Sequence, residues 1–302
     1  MKISRSFLAR IAAGLRGQCS FDEPMARHTS FRIGGPADLL AIPADVADLQ
    51  NLLAVLGRSV PYMVIGNGTN LLVGDRGIRG VVIKIGSGLT AVERNGTAMT
   101  VAAGMRLPKL VEVCQAQGLS GLEWAVGIPG SVGGALVMNA GAYGGQMSDV
   151  VTAASGLTPS GDRTTVAAKD INFSYRHAEY PCGFIITGCR LQLKADKPAA
   201  IKARTRQWLQ KRKANQPLSL PSAGCIFKNP PNDSARRLIG VAGLRGARLG
   251  GAQVSRKHAN FIVNYGGATA ADVLKLMDQV RNRVYKEIGI ELIPEVKVVG
   301  VK

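Results

Sequence analysis

The stretch GIPGSVGGALVMNAGAYGG, residues 127 to 145, constrains this chain more than any other, because seven of its nineteen residues are glycine. Glycine loses more freedom on folding than other residues, so a folded chain concentrates it where the backbone must pass and a Cβ cannot. A flexible linker would leave Ile128, Val132, Leu136, Val137, Met138 and Tyr143 in water, and is excluded. Tight turns in a β-rich core and a backbone cradle for phosphates both remain.

A length of 302 residues suggests about two domains. The 38 Lys and Arg against 20 Asp and Glu give +18, a field that suits anionic partners or simply a solvated basic surface. Aromatics at 5% are too sparse for the interleaving that a nucleic-acid surface needs, so no nucleic-acid partner is expected. Cys19, Cys114, Cys182, Cys189 and Cys225 form no CxxC and no zinc spacing. No metal is expected, and the odd, scattered cysteine count fits a reducing, cytoplasmic setting. No apolar run approaches the roughly 18 residues of a membrane span. Near the start, Phe7, Leu8, Ile11 and Leu15 share one helical face, which is read as a plain N-terminal helix rather than a transit peptide.

Runs of strand length occur at 62–66, 80–85, 98–104 and 183–194. Asp45 is placed to cap a helix over VADLQNLLAVLG, and LPKLVEVCQAQG opens with proline and closes at Gly118. Residues 199–217 read as a helix stopped by Pro217, with six basic residues and no acid, hence a connector with a solvated face. Beyond it, Thr269 and Asp272 have capping-box spacing before the stripe Val273, Leu276, Met277, Val280, Val284 and Ile288. Gly289 ends that helix, and IELIPEVKVVG follows as a strand, at an edge or bulged by Pro294. The expected organisation is an α+β chain with an N-terminal helical segment (1–29), a first domain (30–195) and a smaller second one (196–302).

For the phosphate cradle, no P-loop is present. GSGLTA (86–91) satisfies the dinucleotide spacing, but a turn into another strand follows it where a helix is required. VIGNGTNLLV (64–73) is a better candidate: a strand, then a turn whose successive N–H groups can form an anion nest. Ordinary hairpins carry such Asn-Gly turns too. Together with the loop about sixty residues on, it could grip both sides of a long polyphosphate, which favours a dinucleotide.

Seven blocks then occur in order: TSFRIGGPAD, VIGNGTNLLVGD, GLEWAVGIPGSVGGALVMNAGAYGG, FSYR, SAGCIFKNP, GGAQVSRKHANFIVN and LIPEVKVVG. Over nearly the whole chain, from about residue 25, the sequence resembles the UDP-N-acetylenolpyruvoylglucosamine reductase family. The resemblance implies an FAD-binding domain of the vanillyl-alcohol-oxidase type plus a smaller C-terminal α+β substrate domain. It implies non-covalent FAD held by Val64, Ile65, Gly66, Asn67, Gly68, Thr69, Asn70 and Leu71. The second loop would add Gly127, Ile128, Pro129, Gly130, Ser131, Gly133, Gly134, Asn139, Ala140 and Gly141. Gly130, Gly133 and Gly134 would let the main chain close on the flavin and its phosphates.

The reaction so implied has two halves: NADPH delivers hydride to the flavin, and the enolpyruvyl group of UDP-N-acetylglucosamine enolpyruvate then takes it at C3. An enolate results, and C2 must gain a proton. By motif position Arg176 would hold the carboxylate, Glu295 would polarise or orient, and Cys225 stands where the family most often has a proton-donating serine. Tyr175, Lys228, Asn229, Gln253, His258 and Asn260 are the implied substrate-binding residues. Only 28 positions separate Cys225 from Gln253, which suits the shorter form of the family without an inserted tyrosine loop. A monomer is expected. Two other readings stay open: an oxidase of the same fold, although no tethering His or Cys motif is seen, and a basic RNA-associated protein whose glycine loops are only turns.

Overall fold

In the computed structural model of the chain, which describes residues 3–57 and 60–301, helices begin where a side-chain oxygen can close the first turn. Ser4 Oγ accepts from Phe7 N at the start of α1 (Arg5–Gly14), and Asp45 accepts from Asp48 N at the start of α2 (Val46–Leu56). Helix α3 (Leu107–Ala116) carries proline in its first turn, and Ser131 caps the short α4 (Val132–Val137). Burial follows the helical period: Leu49, Leu52, Leu53 and Leu56 on α2, and Leu107, Leu110, Val111 and Cys114 on α3. Each such leucine stabilises the fold by about 1.5–3 kcal/mol relative to an exposed one.

The chain folds as two units. The first comprises Met1–Phe21, Leu39–Asn67 and Gly80–Arg212; the second comprises Asp22–Asp38, Gly68–Arg79 and Lys213–Lys302. In the first, an antiparallel five-stranded sheet has the spatial order Arg163–Ala167, Val151–Leu157, Ile185–Gln192, Ala98–Ala102, Val92–Asn95. Strand Tyr62–Ile65 runs parallel to residues 81–84 in a separate sheet. One continuous core, including Leu39, Ile83, Met99, Val101, Leu136 and Leu191, lies beneath. The GSGLTA stretch is irregular and opens no helix.

Helix α5 (Pro198–Asn215) buries only Ile201 and Arg212, as its lack of an apolar stripe requires. Its basic face is not merely solvated. Arg204 makes ion pairs with Glu123 at 2.7 Å and Asp196 at 2.6 Å, and Trp208 stacks on Tyr143 with ring centroids 4.5 Å apart.

In the second unit a four-stranded sheet has the order Ser222–Cys225, Phe261–Asn264, Ala252–Val254, Arg248–Leu249. Helices α6 (Ala235–Val241) and α7 (Ala270–Ile288) share its core with Phe31, Leu72, Phe227 and Leu292. The Thr269–Asp272 capping box is formed, and Gly289 closes α7 in the left-handed conformation. Asp75 adds a second clamp, accepting from Ala270 N at 2.8 Å and Ala271 N at 3.0 Å. The expected strand IELIPEVKVVG is shorter than the sequence suggests. Only Lys297–Val299 is a strand, parallel to Leu71–Val73, while Pro294 makes an isolated bridge with Phe227. Proline has no N–H to extend a ladder.

Among the described residues, no helix is long and apolar enough to cross a membrane, and no group of three or more His, Cys, Asp or Glu could hold a metal ion.

Asp48 of the first unit is a fully buried carboxylate. It accepts from three main-chain donors: Arg16 N at 2.9 Å, Gly17 N at 2.9 Å and Ala44 N at 2.8 Å. Burial alone would raise its pKa, but these N–H groups outweigh that and hold the carboxyl below its ordinary value. Asp48→Ala should therefore lower the stability of the first unit at neutral pH by about 1–3 kcal/mol, since three part-buried donors lose their acceptor. Asp48→Asn should cost less. A depressed carboxyl contributes above its unfolded pKa of about 3.9 and loses that contribution as pH falls through the lower folded value, so the stability gap between parent and variant should narrow progressively below about pH 4.

Candidate active site

Strand Tyr62–Ile65 ends at Gly66, and the turn Gly66–Asn70 leads into Leu71–Val73, as the nest reading requires. Among the described residues, the N–H groups of Gly66, Asn67, Gly68 and Thr69 have no protein acceptor. Gly68 is left-handed (φ +60°), and a Cβ there would run into the His28 carbonyl. Asn70 Nδ2 donates to the Glu295 carbonyl at 3.1 Å.

Within the first unit, the loop 127–141 lies beside Gly66 and Asn67. Asn67 Nδ2 donates to the Pro129 carbonyl at 3.2 Å, and a Cβ on Gly66 would fall against Ser131 Oγ. Here the structure differs from a cradle made by both loops. Val132 N and Gly133 N donate to the carbonyls of Met105 and Ala103 at 2.9 and 2.8 Å, and the Gly130 carbonyl accepts from Leu107 N. Gly133 is glycine because Ala103 packs against it, with 3.0 Å between their Cβ positions. Gly134 is different. It is exposed, and a Cβ would meet only Ser131 Oγ at an ordinary 3.6 Å. The protein itself gives no reason for glycine at this position.

Asn139 ends α4 in the left-handed region (φ +38°) and is buried. Its Nδ2 donates to the Ser174 carbonyl at 3.1 Å, and its Oδ1 accepts from Ser148 N at 3.0 Å. Ser174 belongs to the hairpin Asn172–Ser174/His177–Glu179, whose tip is Tyr175–Arg176. Arg176 is half-buried, left-handed (φ +57°), and lies 5.3 Å from the half-exposed Tyr175 ring. The glycine loop and the candidate arginine thus belong to one hydrogen-bonded assembly.

Tyr143, at φ +54°, is a further element that sequence reasoning missed. It is clasped by Trp208 and by Arg212, whose guanidinium lies 5.7 Å away, with Lys211 over Trp208 at 4.6 Å. The NAGAYG glycines together with an aromatic on the basic helix were the available signal.

In the second unit, Cys225 and Glu295 are brought onto adjoining segments. Glu295 N and Ile226 O share a 2.8 Å hydrogen bond, Lys228 N donates to Ile293 O, and Phe227 bridges Pro294. Gly224 (φ +77°) creates the bulge that sets Cys225 opposite Phe261; both Cys225 and Glu295 are half-buried. Asn260 is buried, and its amide is occupied by Phe227, accepting from its N at 3.0 Å and donating to its O at 2.8 Å. Gln253 Nε2 donates to Gly246 O, and Asn229 Oδ1 accepts from Ala235 N at the entry to α6. His258 packs edge-on to Phe261 at 4.8 Å, and its Nδ1 has no hydrogen-bond partner. Burial, then Arg236 and Arg245, lower its pKa to about 4, so it is neutral at physiological pH.

Two family models match these two parts of the chain: an FAD binding domain over residues 37–167, and the C-terminal domain of UDP-N-acetylenolpyruvoylglucosamine reductase over residues 216–299. The UDP-N-acetylenolpyruvoylglucosamine reductase of Geotalea uraniireducens is 45% identical over 293 residues, covering 97% of either chain. The chain belongs to the UDP-N-acetylenolpyruvoylglucosamine reductase family. The Agathobacter rectalis reductase is 47% identical over 92% of this chain and 93% of its own. The crystal structure of the Thermus caldophilus reductase superposes with a TM-score of 0.82 at 38% identity, covering 94% of this chain and 99% of that one. The reductase described here is therefore an FAD-dependent UDP-N-acetylmuramate dehydrogenase of peptidoglycan precursor synthesis, with NADPH as donor.

If Gly134 is glycine for the cofactor, Gly134→Ala should raise the stability of the apoprotein by about 0.5–1 kcal/mol, the helix-propensity gain. FAD affinity should fall by about tenfold or more, a loss of about 1.4 kcal/mol. Thermal unfolding and FAD titration of deflavinated protein measure the two. Parental affinity in the variant removes Gly134 from the cofactor surface.

Proposed function

We propose how this chain's own residues carry the family reaction. The observation that carries the proposal is the run of four main-chain N–H groups, Gly66 to Thr69, without protein acceptors among the described residues, and, near Gly66, a glycine that the fold does not need. This arrangement suits a pyrophosphate: unsatisfied donors supply preorganised positive potential without a helix terminus or a lysine. Residues 66–70 would hold the FAD pyrophosphate, with the loop 127–141 shaping the space beside it. Bound FAD supplies hydride transfer, from NADPH first and to C3 of the enolpyruvyl group second.

Arg176 acts on the substrate carboxylate. Its planar pair of donors matches a carboxylate and stabilises the negative charge that spreads there once C3 has gained hydride. The Cys225 thiol delivers the proton to C2, and Glu295, whose segment is hydrogen-bonded to that of Cys225, orients the reacting group. Lys228, Asn229, Gln253 and Tyr175 recognise the sugar nucleotide. His258, being neutral, contributes a hydrogen bond rather than a charge. Asn260 serves by fixing Phe227, and through it the Cys225–Lys228 segment. A division of labour between an FAD-binding domain and a C-terminal substrate domain, a monomeric state and a cytoplasmic location complete the proposal.

Stopped-flow measurement of the two half-reactions tests the assignment. Arg176→Lys keeps the charge but loses the paired donors, and should slow reoxidation by substrate by up to about 2.7–4 kcal/mol. Cys225→Ala should slow the same step by roughly 10²–10⁴-fold while Cys225→Ser retains it. Reoxidation at the parental rate in Arg176→Lys, or in Cys225→Ala, would remove that residue from the mechanism.

A further inference from the structure

We infer that Asn139 is a positioning residue for Arg176, transmitting the geometry of the glycine loop to the tip of the Asn172–Glu179 hairpin. The inference rests on the role proposed above for Arg176. Three observations carry it. The Asn139 side chain is buried at 2% exposure and committed to protein partners: it donates to Ser174 O at 3.1 Å and Gln146 Oε1 at 3.4 Å, and accepts from Ser148 N at 3.0 Å. Ser174 pairs with His177 across the tip, so the acceptor of that bond lies two residues from Arg176 on the strand leading into the turn. Both Asn139 and Arg176 hold left-handed backbone, at φ +38° and +57°, a region that asparagine enters readily and arginine rarely.

The hairpin needs such a tie. Each of its strands has three residues and pairs only with the other, and isolated two-stranded ribbons are marginal in water. Its remaining buried anchors in that neighbourhood are Ile171 and Ala178, which pack with Ala154 in a small separate cluster. Neither of these fixes the direction of the turn. The Asn139–Ser174 bond does, because an amide donates along a defined line to a main-chain carbonyl. A displacement near 1 Å at a group that stabilises developing charge is enough to slow a reaction by about a hundredfold.

Two variants of the holoenzyme test this. Asn139→Gly keeps the left-handed backbone and deletes the tie. Asn139→Asp keeps the shape and the acceptor for Ser148 N, but when ionised presents an oxygen to the Ser174 carbonyl. When protonated it can donate again. Flavin reduction by NADPH and reoxidation by the enolpyruvyl substrate are followed separately from about pH 5.5 to 8.5, as ratios to the parent at each pH. The ratios cancel titration of the nearby Asp149 and His177, which the parent shares. Both variants should lose reoxidation at least about tenfold more than reduction at pH 8, and only Asn139→Asp should recover as pH falls. Equal losses in both half-reactions, parental reoxidation in Asn139→Gly, or recovery with pH in both variants would overturn the inference. Arg176→Lys is measured alongside: slow reoxidation there with parental Asn139→Gly sinks only the positioning role, whereas parental Arg176→Lys sinks the reading of Arg176 itself.

Discussion

Main-chain N–H groups left without an acceptor among the described residues, at Gly66, Asn67, Gly68 and Thr69, are the feature on which the proposed function of this fold turns. An unpaired backbone donor is unfavourable once water is excluded, so folded chains keep such groups only where solvent or a ligand can complete them. Side chains could supply positive charge more cheaply, but a lysine or arginine brings length and rotamer freedom. A turn's own backbone brings neither. Strand Tyr62–Ile65 enters it, and Leu71–Val73, held parallel to Lys297–Val299, leaves it. Glycine at 68 is required twice over, by its left-handed φ and by the His28 carbonyl. The second loop divides its work differently: its helix-start donors at Val132 and Gly133 are consumed within the protein, and its open face lies at Gly134.

Strain is concentrated where the chemistry is placed. Three of the six left-handed non-glycine residues among the described ones, Asn139, Tyr143 and Arg176, fall within or beside the glycine loop. Such a backbone costs up to about 1–3 kcal/mol, least for asparagine, and persists where its surroundings hold it. The surroundings are visible for two of them: hydrogen bonds for Asn139, and the Trp208 and Arg212 clasp for Tyr143. The basic helix α5 thus does more than connect. Arg204 fastens it to Glu123 and Asp196, and Trp208 braces the loop from outside.

Much of this was legible in the sequence because the signals are local. Asp45, Thr269 with Asp272, and Gly289 announced their helix ends, and GNGTN announced its turn. The family blocks then supplied Arg176, Cys225 and Glu295, which no pattern of residue types could single out. What stayed illegible is non-local. Nothing near residues 22–38 or 68–79 signals that they lie in the second unit, since the pairing of Leu71–Val73 spans more than two hundred residues. Nor does composition separate a solvated arginine from Arg204, or a cofactor-facing asparagine from Asn139, because the difference lies in the partners that folding brings. The same holds for glycine: 133 and 134 are adjacent and identical in sequence terms, yet a Cβ would press on Ala103 at one and make only ordinary contact with Ser131 Oγ at the other.

Residue-resolved amide hydrogen exchange, on deflavinated and FAD-loaded protein, tests the central claim most directly. The N–H groups of Gly66, Asn67, Gly68 and Thr69 should exchange with little protection without FAD and slow markedly when it is bound. Those of Val132 and Gly133 should be protected in both states, because Met105 and Ala103 already hold them. Protection of residues 66–69 before FAD is added, or its absence afterwards, would contradict the account.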